Sequence, residues 1–501
     1  MQPATFKIVL CVLLVSCAPS SLVRGVADEL PADTNAIESL TPDQARRLVF
    51  DFPGVDVRIE TTGGVKFRGA RCLPLNGLKS LDAETAAALA AYFRGALVLG
   101  GLTSLNTDTA AAIATLKGNC LVLSGLTMLD PATAKALATF DGQRLYLGGL
   151  TTLDAATATA LARFSGHDVN LSGLARLDTA TAKALAGFKS RSMDLRGLTS
   201  LDLGAATALA EFQGGELFLN GLTRLDAETS KALATFKGHT LHLPSLPMLE
   251  ADAAAALAEF TGDLYLDGLT TLDEATAKAL ATSKSHLHLD GLTTLDEATA
   301  KALAAFQGKS LTLSGLTTLD ANTALALTES RGKHLNLAGL RTLDADTARA
   351  LVRCRAWNGQ LPQLTAIDMA TATAFREFKG GHLHLKGLAA LDANTAALLA
   401  GIQAWDGQLP FLTALESPDS VAIAAALAGR KGPLSLPNMK KISPGTLTAL
   451  LVKKDIEIPL VETLELIPEP DGGPTDDFVI PNWLEELQNQ QRAQRAAGKA
   501  P

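Results

Sequence analysis

The chain has 501 residues, of which 47% are hydrophobic and only 5% aromatic, and its formal net charge at pH 7 is −8. An acidic chain without a basic run disfavours nucleic-acid binding, because phosphate contact depends on clustered lysine and arginine. A single compact core is also disfavoured at this length, whereas a repeat architecture has no such ceiling because each unit contacts only its neighbours.

The N-terminus has the pattern of an export signal. Lys7 precedes an apolar run from Ile8 to Val15, which is too short to span a bilayer and suits the apolar region of a signal peptide. The segment Leu14-Val15-Ser16-Cys17 resembles a bacterial lipobox, in which Cys17 becomes the lipidated first residue. Cleavage after Ala27 is the alternative and releases a soluble protein. We expect residues 1–17 to be a signal peptide and the protein to be exported, either lipid-anchored in the cell envelope or periplasmic or secreted.

A Gly-Leu pair returns every 24 residues between Gly77 and Gly221, inside the frame L-x-L-x-G-L-x-x-L-(D/N). The register continues, with two 23-residue steps, to Phe411, and looser units extend it to Leu460, which makes about 17 turns. A short unit repeated this faithfully is typical of a stacked solenoid. We predict one repeat domain over residues 28–465 with degenerate caps. The glycine is explained by its conformational freedom, which lets the chain turn out of the strand.

Each repeat predicts one short strand followed by one helix. Leu145 and Leu147 alternate with varied residues, which is typical of a half-buried strand. The alanine-rich run from Ala155 to Phe164 favours a helix with Asp154 as its N-cap, and Pro131 suits the first helical position of the preceding repeat. One turn buries too few apolar side chains to offset its own backbone entropy, so the turns must stack.

The frame L-x-L-x-G-L-x-x-L followed by a helix resembles the leucine-rich repeat. The resemblance covers about Leu40 to Leu464, and it implies an α/β solenoid with parallel strands on its concave face and short helices on its convex face. The T-A-x-A-L-A helix is most similar to a divergent bacterial subgroup of the family. The chain departs from the family at Leu150 and its counterparts, which stand where an asparagine usually hydrogen-bonds between turns.

The outward strand positions form the predicted concave face, which the resemblance implies to be the binding surface. Six of the eight histidines lie there by register, namely His242, His286, His288, His334, His382 and His384. The ligand-binding candidates on this face are Phe218, His242, Tyr265, His288 and His384. These side chains depart from the small polar residues that are usual in the outward positions. They predict a protein or a polysaccharide as the partner.

A divalent metal ion is a second interpretation of part of this face. His286, His288 and Asp290 lie on one side of a strand, and Asp263 lies on the adjacent turn, about 4.8 Å away. Imidazole and carboxylate together suit zinc. Exposed strand positions tolerate histidine and aspartate equally well without a ligand, and nothing in the pattern predicts a tetrahedral arrangement. A solvent-exposed polar surface is therefore the favoured interpretation, and we predict no cofactor.

Two near-copies, beginning at Trp357 and Trp405, interrupt the strand pattern. In both, glycine replaces the first strand leucine, and a proline that cannot donate to a strand ladder follows the second, at Pro362 and Pro410. One interpretation is a paired aromatic recognition site, for example for a glycan. The favoured interpretation is that each tryptophan fills the space left by the missing leucine.

The C-terminal end leaves the repeat frame. Residues 466–501 begin with a segment rich in proline, glycine and acid, which predicts a linker, and a short polar tail follows with a helix expected over Trp483–Ala497. Phe478, Ile480 and Trp483 support the hypothesis that this tail docks on the last turn.

The sequence contains none of the common enzyme signatures, such as G-x-S-x-G, H-E-x-x-H or G-x-x-x-x-G-K-(S/T). Aspartates of the Asp154 type occur once per turn and are better explained as helix caps than as catalytic carboxylates. The predicted function is a non-catalytic cell-envelope interaction module that presents its concave strand surface to a protein or polysaccharide. Nucleic acid is not expected as a partner, and membrane contact is expected only through the lipid anchor. The alternative is a structural or spacer protein without a specific ligand.

Overall fold

In the computed structural model, the described residues are 30–56, 71–330 and 332–468, with four isolated helical positions at 486, 489, 492 and 493 that fall inside the expected tail helix. Cys17 and the proposed docking residues Phe478, Ile480 and Trp483 lie outside them. The chain folds as a leucine-rich-repeat-like α/β solenoid, in which short strands and short helices alternate along the chain. The predicted fold class is therefore confirmed.

The first thirteen strands form one long sheet. β1 (Val55–Asp56) pairs antiparallel with β2 (Arg71–Pro74), and from β2 to β13 each strand pairs in parallel with the next along the chain. Strands β3 to β13 are Gly95–Val98, Cys120–Val122, Arg144–Tyr146, Asp168–Asn170, Ser192–Asp194, Glu216–Phe218, Thr240–His242, Asp263–Tyr265, His286–His288, Ser310–Thr312 and His334–Asn336. The register joins equivalent positions of neighbouring repeats, as between Leu145 and Val169.

The ladder is irregular in the C-terminal turns. Isolated parallel bridges, such as Leu383 with Trp405, replace the strands after β13. Gly359 and Gly407 stand there in place of the first strand leucine and adopt φ angles of 71° and 76°, a left-handed conformation that ends a strand. Short strands resume as β14 (Ala414–Leu415), β15 (Leu434–Ser435), β16 (Lys441–Ile442), β17 (Ile456–Glu457) and β18 (Glu465–Leu466). β14, β16 and β18 form one small sheet, and β15 and β17 form another.

Both tryptophans of the near-copies belong to the core. Trp357 and Trp405 are only 3% and 1% exposed. The Trp357 ring packs on Phe375 and Phe378, with centroid distances of 6.4 and 5.1 Å. The interpretation that each ring fills the space of a missing leucine is confirmed, and a surface recognition pair is excluded because neither ring reaches the surface.

The helices form the second layer, and an aspartate begins most of them. In the described residues, α1 to α17 are Pro42–Asp51, Ala83–Ala90, Thr107–Ile113, Pro131–Leu137, Ala155–Leu161, Thr179–Leu185, Leu203–Leu209, Ala227–Ala234, Ala251–Ala258, Glu274–Leu280, Glu297–Ala304, Ala321–Leu327, Ala345–Leu351, Met369–Phe375, Ala393–Ala400, Ser420–Ala428 and Pro444–Leu451. The Asp154 carboxylate accepts a hydrogen bond from the backbone N–H of Thr157 at 2.7 Å, and Pro131 is the first residue of α4, as predicted.

Buried threonines hydrogen-bond many of the turns to the turn before. Thr157 is fully buried, and its Oγ1 donates to the carbonyl oxygen of Leu129 in the preceding turn at 3.4 Å. The same bond to an equivalent leucine carbonyl is made by Thr109, Thr181, Thr276, Thr299, Thr347 and Thr371. These threonines supply a hydrogen bond between turns in a chain that has Leu150 at the usual asparagine position.

The repeated glycine is required by close approach and not by its backbone angles, which corrects the explanation offered from the sequence. A Cβ on Gly149 would lie 2.2 Å from the carbonyl oxygen of Ser124 and 2.7 Å from that of Leu126, both in the preceding turn. Positive φ angles occur, among the glycines that the structure describes, at Gly54, Gly95, Gly359, Gly407 and Gly432, and none of these is in the Gly-Leu pair. The pair therefore sets how closely two turns stack.

Candidate functional site

Each turn presents three side chains on the side of the sheet that faces away from the helices. In the turn of β10, Asp263, Tyr265 and Asp267 alternate with two buried leucines, so the three share the outer side. The register places Tyr265 between His242 and His288 of the two neighbouring turns. Three parallel rows of side chains therefore run along the ladder. We call this surface the strand face, and the row that contains Tyr265 its central row.

The central row mixes buried and partly exposed side chains in its N-terminal part and is accessible, with one exception, in its C-terminal part. Tyr146, Asp194 and Phe218 are 5%, 0% and 1% exposed, and Asn170 and the valines before it in this row are partly exposed. From His242 onward most members are accessible. Thr312 is the one later member, within the described residues, that is buried. We call the accessible members from His242 onward the polar row, and they are His242, Tyr265, His288, Asn336, Gln360, His384, Gln408, Ser435 and Glu457.

Four rings of the central row stack on one another. The centroids are 4.1 Å apart between Phe218 and His242, 4.4 Å between His242 and Tyr265, and 3.8 Å between Tyr265 and His288. Stacking covers the faces of the inner rings, so their edges, with the imidazole nitrogens and the phenol hydroxyl, are what remains for a ligand. The sequence predicts Phe218 as a surface contact residue, but its ring is buried at the end of this stack and serves as its base.

The stack is uncharged at neutral pH. Burial lowers the pKa of His242 to about 4, and the nearby charges of His288 and Arg196 act in the same direction. Burial also lowers the pKa of His288, against the opposing effect of nearby carboxylates such as Asp267. The pKa of Tyr265 is raised by burial and by the surrounding carboxylates. The rings therefore offer neutral donors and acceptors and no cation.

Carboxylates of the flanking rows are tied to the neighbouring turn. Oδ1 of Asp267 accepts from the backbone N–H of Asp290 at 3.1 Å, and Oδ1 of Asp290 accepts from both the N–H and the hydroxyl of Ser314, at 2.8 and 2.9 Å. Burial and the charge of Asp290 raise the pKa of Asp267. Each carboxylate is thus held in one orientation by the next turn.

The four residues of the proposed metal site do not converge on one point. His286 Nε2 lies 3.9 Å from Asp263 Oδ1, whereas His288 Nδ1 is hydrogen-bonded to Thr312 Oγ1 at 3.2 Å and Asp290 is bonded to the next turn. Within the described ranges, no three His, Cys, Asp or Glu side chains are grouped so that they could hold a metal ion. The arrangement supports the interpretation of these positions as a polar surface.

His384 has a carboxylate partner that the sequence does not reveal. Its Nδ1 lies 2.6 Å from Oδ2 of Asp406, and the two side chains are 24% and 10% exposed. The carboxylate accepts from Nδ1–H, so Nε2 is the nitrogen that is left to meet a ligand. Oδ1 of Asp406 accepts from the N–H of Gln408 at 3.1 Å, as Asn358 does from Gln360 in the other near-copy.

Sequence reasoning also missed the amide members of the polar row. Asn336 pairs with Thr312, Gln360 with His384, and Gln408 with Ser435. The sequence does contain a sign of these members, because both tryptophan near-copies have a glutamine at the same position, Gln360 and Gln408. These glutamines continue the central row, although the strand register is shifted there.

An apolar groove lies between α1 and α2, away from the strand face. It has a volume of about 810 Å³, and Phe50 and Phe93 on its walls are 81% and 66% exposed. Phe93 occupies a position that is a lysine in other turns, namely Lys117, Lys189 and Lys237. An aromatic residue at a solvent-facing position is the sign of this groove in the sequence. Large exposed apolar side chains therefore occur in this chain, but at this groove they lie away from the strand face.

No family model matches the chain, and no curated protein matches it. A leucine-rich-repeat protein of Leptospira interrogans is similar over 86% of this chain and 94% of its own, with 18% identity and a TM-score of 0.33. A chain of the mouse RP105/MD-1 complex matches over 80% and 76%, with 15% identity and a TM-score of 0.42. A chain of the Toll–Spatzle complex of Drosophila matches over 77% of this chain and 50% of its own, with 13% identity and a TM-score of 0.36. The solenoid assignment rests on the strand ladder of this chain itself.

Proposed function

We propose that this chain is a non-catalytic interaction module whose strand face binds a protein or polysaccharide partner. The observation that carries the proposal is the polar row, a run of accessible hydrogen-bonding side chains along the C-terminal turns. Several of its members are held in place by a neighbour, as His288 is by Thr312, His384 by Asp406 and Ser435 by Glu457. Side chains that are fixed before binding lose less freedom when a ligand arrives.

The alternative is a spacer protein that needs only a soluble surface. A spacer requires outward side chains that are polar, and it does not require them to be oriented by one another. The stacked rings and the His384–Asp406 pair therefore favour binding over a purely mechanical role.

A non-catalytic role is supported by the surroundings of the His384–Asp406 pair, which resembles the carboxylate-oriented histidine of many catalytic sites. A histidine oriented by a carboxylate activates a nucleophile in many enzymes, but the nucleophile must lie within hydrogen-bond reach of the other ring nitrogen. Across the described residues, no serine, threonine or cysteine side chain hydrogen-bonds to the His384 ring.

Location is a separate part of the proposal. The export signal and the lipobox-like Cys17 support a lipid-anchored protein of the cell envelope, with cleavage after Ala27 as the soluble alternative. Among the described helices, none is long and apolar enough to cross a membrane. Labelled palmitate should be incorporated into the wild type and not into Cys17→Ala, and labelling of both proteins would contradict the anchor.

The binding function is tested by capture from cell-envelope extracts. The wild type is compared with a strand-face variant that carries Tyr265→Ala, His288→Ala and His384→Ala. A matched helix-face variant carries Lys183→Ala, Lys231→Ala and Lys278→Ala, which replace exposed lysines. Circular dichroism first establishes that all three proteins are folded. We expect a protein or polysaccharide that is captured by the wild type and the helix-face variant and lost by the strand-face variant, whereas identical captures would favour the spacer.

A further inference from the structure

We infer that the ligand of the polar row is a linear, uncharged polysaccharide that lies across the turns of the C-terminal half. This inference rests on the proposed function and chooses between its two partner classes. It depends on four features of the strand face: the chemistry of the accessible side chains, the lack of apolar anchors, the sign of the charge and the spacing of the row.

The first feature is that every member of the polar row offers hydrogen-bonding atoms. Imidazole, phenol, amide, hydroxyl and carboxylate groups follow one another from His242 to Glu457. Because Phe218 and the rings themselves cover the ring faces, Tyr265 and its neighbours present edges with polar atoms. Groups of this kind are complementary to a ligand whose surface is covered with hydroxyls, each of which both donates and accepts.

The second feature is the lack of large apolar side chains in this region. Protein interfaces have an apolar core, and aromatic residues and arginine dominate their binding energy. In the part of the chain that the structure describes, the large apolar side chains that are exposed lie on helices, in connecting turns or in the strands at the two ends. They are Phe50, Val55, Phe93, Met128, Leu203, Met248, Leu325, Met369, Phe411, Val421, Val452 and Leu466. Tyr265 is the one residue in the polar row of the kind that dominates protein interfaces, and stacking covers both faces of its ring. The polar row therefore lacks the exposed apolar anchors that a protein partner needs.

The third feature is charge. Burial keeps the His242 and His288 imidazoles neutral, and in the turns of Tyr265 and His288 the flanking rows contribute the carboxylates of Asp263, Asp267 and Asp290. A polysaccharide that carries phosphate, sulfate or carboxylate groups would be repelled by these carboxylates. Neutral hydroxyls, in contrast, donate to them without a charge penalty.

The fourth feature is the regular spacing of the row. Neighbouring turns of a parallel ladder are about 4.8 Å apart, so the ten turns from His242 to Glu457 extend over roughly 40 Å. A linear polymer that crosses the turns meets one hydrogen-bonding side chain of the central row in nearly every turn. Each bond alone is weak, and affinity accumulates with the number of turns that one chain crosses.

The test is isothermal titration with neutral linear oligosaccharides, namely the disaccharides and hexasaccharides of the maltose, cellobiose and chitobiose series. We expect at least one series to bind, with the hexasaccharide tighter than the disaccharide by about ten-fold or more. Gln360→Ala and Gln408→Ala each remove one side-chain amide and should weaken hexasaccharide binding about two- to ten-fold. Gln307→Ala removes an exposed amide away from the strand face and is the matched control that should bind as the wild type.

Three results would overturn the inference: no binding by any series, binding that does not depend on length, or equal binding by Gln360→Ala, Gln408→Ala and Gln307→Ala. If the oligosaccharides fail while the strand-face variant still loses a protein from the envelope extract, the ligand class is wrong and the proposed function stands. If both experiments fail, the proposed function fails with the inference.

Discussion

The pKa of an aspartate in this chain shifts in opposite directions depending on its position in the repeat. Asp154 begins a helix, and its hydrogen bonds from the Thr157 backbone and side chain lower its pKa. Asp267 lies on the strand face, where burial and the charge of Asp290 raise its pKa. The position of a side chain within the turn therefore determines its role in this chain.

The cap role of Asp154 predicts a specific loss of stability. Asp154→Ala leaves the Thr157 N–H without its acceptor and should lower the free energy of unfolding by about 1 kcal/mol, measured by urea denaturation. Glu250 occupies the equivalent position in α9 but makes no side-chain cap bond. Glu250→Ala is therefore the control and should have a clearly smaller effect. Equal losses in the two variants would show that the cap bond is not the source.

The buried imidazole of His242 predicts a loss of stability in acid. Its pKa is about 4 in the folded protein and about 6.5 when unfolded, so between these values the unfolded chain binds a proton that the folded protein does not. Stability should fall as the pH decreases from 6.5 to 4, by on the order of 2–3 kcal/mol after allowing for partial exposure. The variant His242→Phe should be less sensitive to pH than the wild type in thermal melts across this range. His334→Gln, which replaces an exposed histidine, should retain the wild-type pH dependence.

At the level of elements, the strand and helix of each turn could be predicted from the sequence, and so could the cap, the core tryptophans and the row to which each outward residue belongs. These properties follow from the period of the repeat. The burial of Phe218 and the pairing of His384 with Asp406 could not be predicted from the sequence, because they depend on contacts between turns. Asp406 lies 22 residues after His384, which is less than the 24-residue repeat, because the backbone around Gly407 shifts the strand.

The stacking role of the repeated glycine predicts that a methyl group at this position destabilises the fold. Gly149→Ala places a Cβ against two backbone carbonyl oxygens, which have no freedom to move aside without shifting a whole turn. We expect a loss of about 1–3 kcal/mol or more in the free energy of unfolding. Gly381→Ala adds the same methyl group where no atom lies within 4 Å and is the matched control. If both variants are equally stable, close approach does not explain the glycine.

On the scale of the whole molecule, the N-terminal and C-terminal turns share one ladder and differ in their outer surface. The central row of the N-terminal turns combines buried side chains, such as Tyr146 and Phe218, with partly exposed ones, such as Asn170. From His242 onward every member except Thr312 is accessible. Because each turn contacts only its neighbours, stability is distributed along the solenoid and is not concentrated in one core. The fold and the binding surface are therefore separable in this architecture.

That separation predicts different results for two deletions of equal size. Removing residues 125–172 joins Ser124 to Gly173, and removing residues 291–338 joins Asp290 to Gly339, so each deletion takes out two whole turns and preserves the position of the Gly-Leu pair. Both proteins should fold with a similar loss of stability, measured by circular dichroism and urea denaturation, since each loses the same number of contacts between turns.

Only the second deletion removes a member of the polar row, Asn336, and it also removes the Thr312 that holds His288. It should therefore weaken capture of the strand-face ligand, and the first deletion should leave it intact. Equal loss of binding in two folded proteins would mean that the ligand depends on the N-terminal turns as well, and the binding surface would then have to include the turns that carry Tyr146 and Asn170.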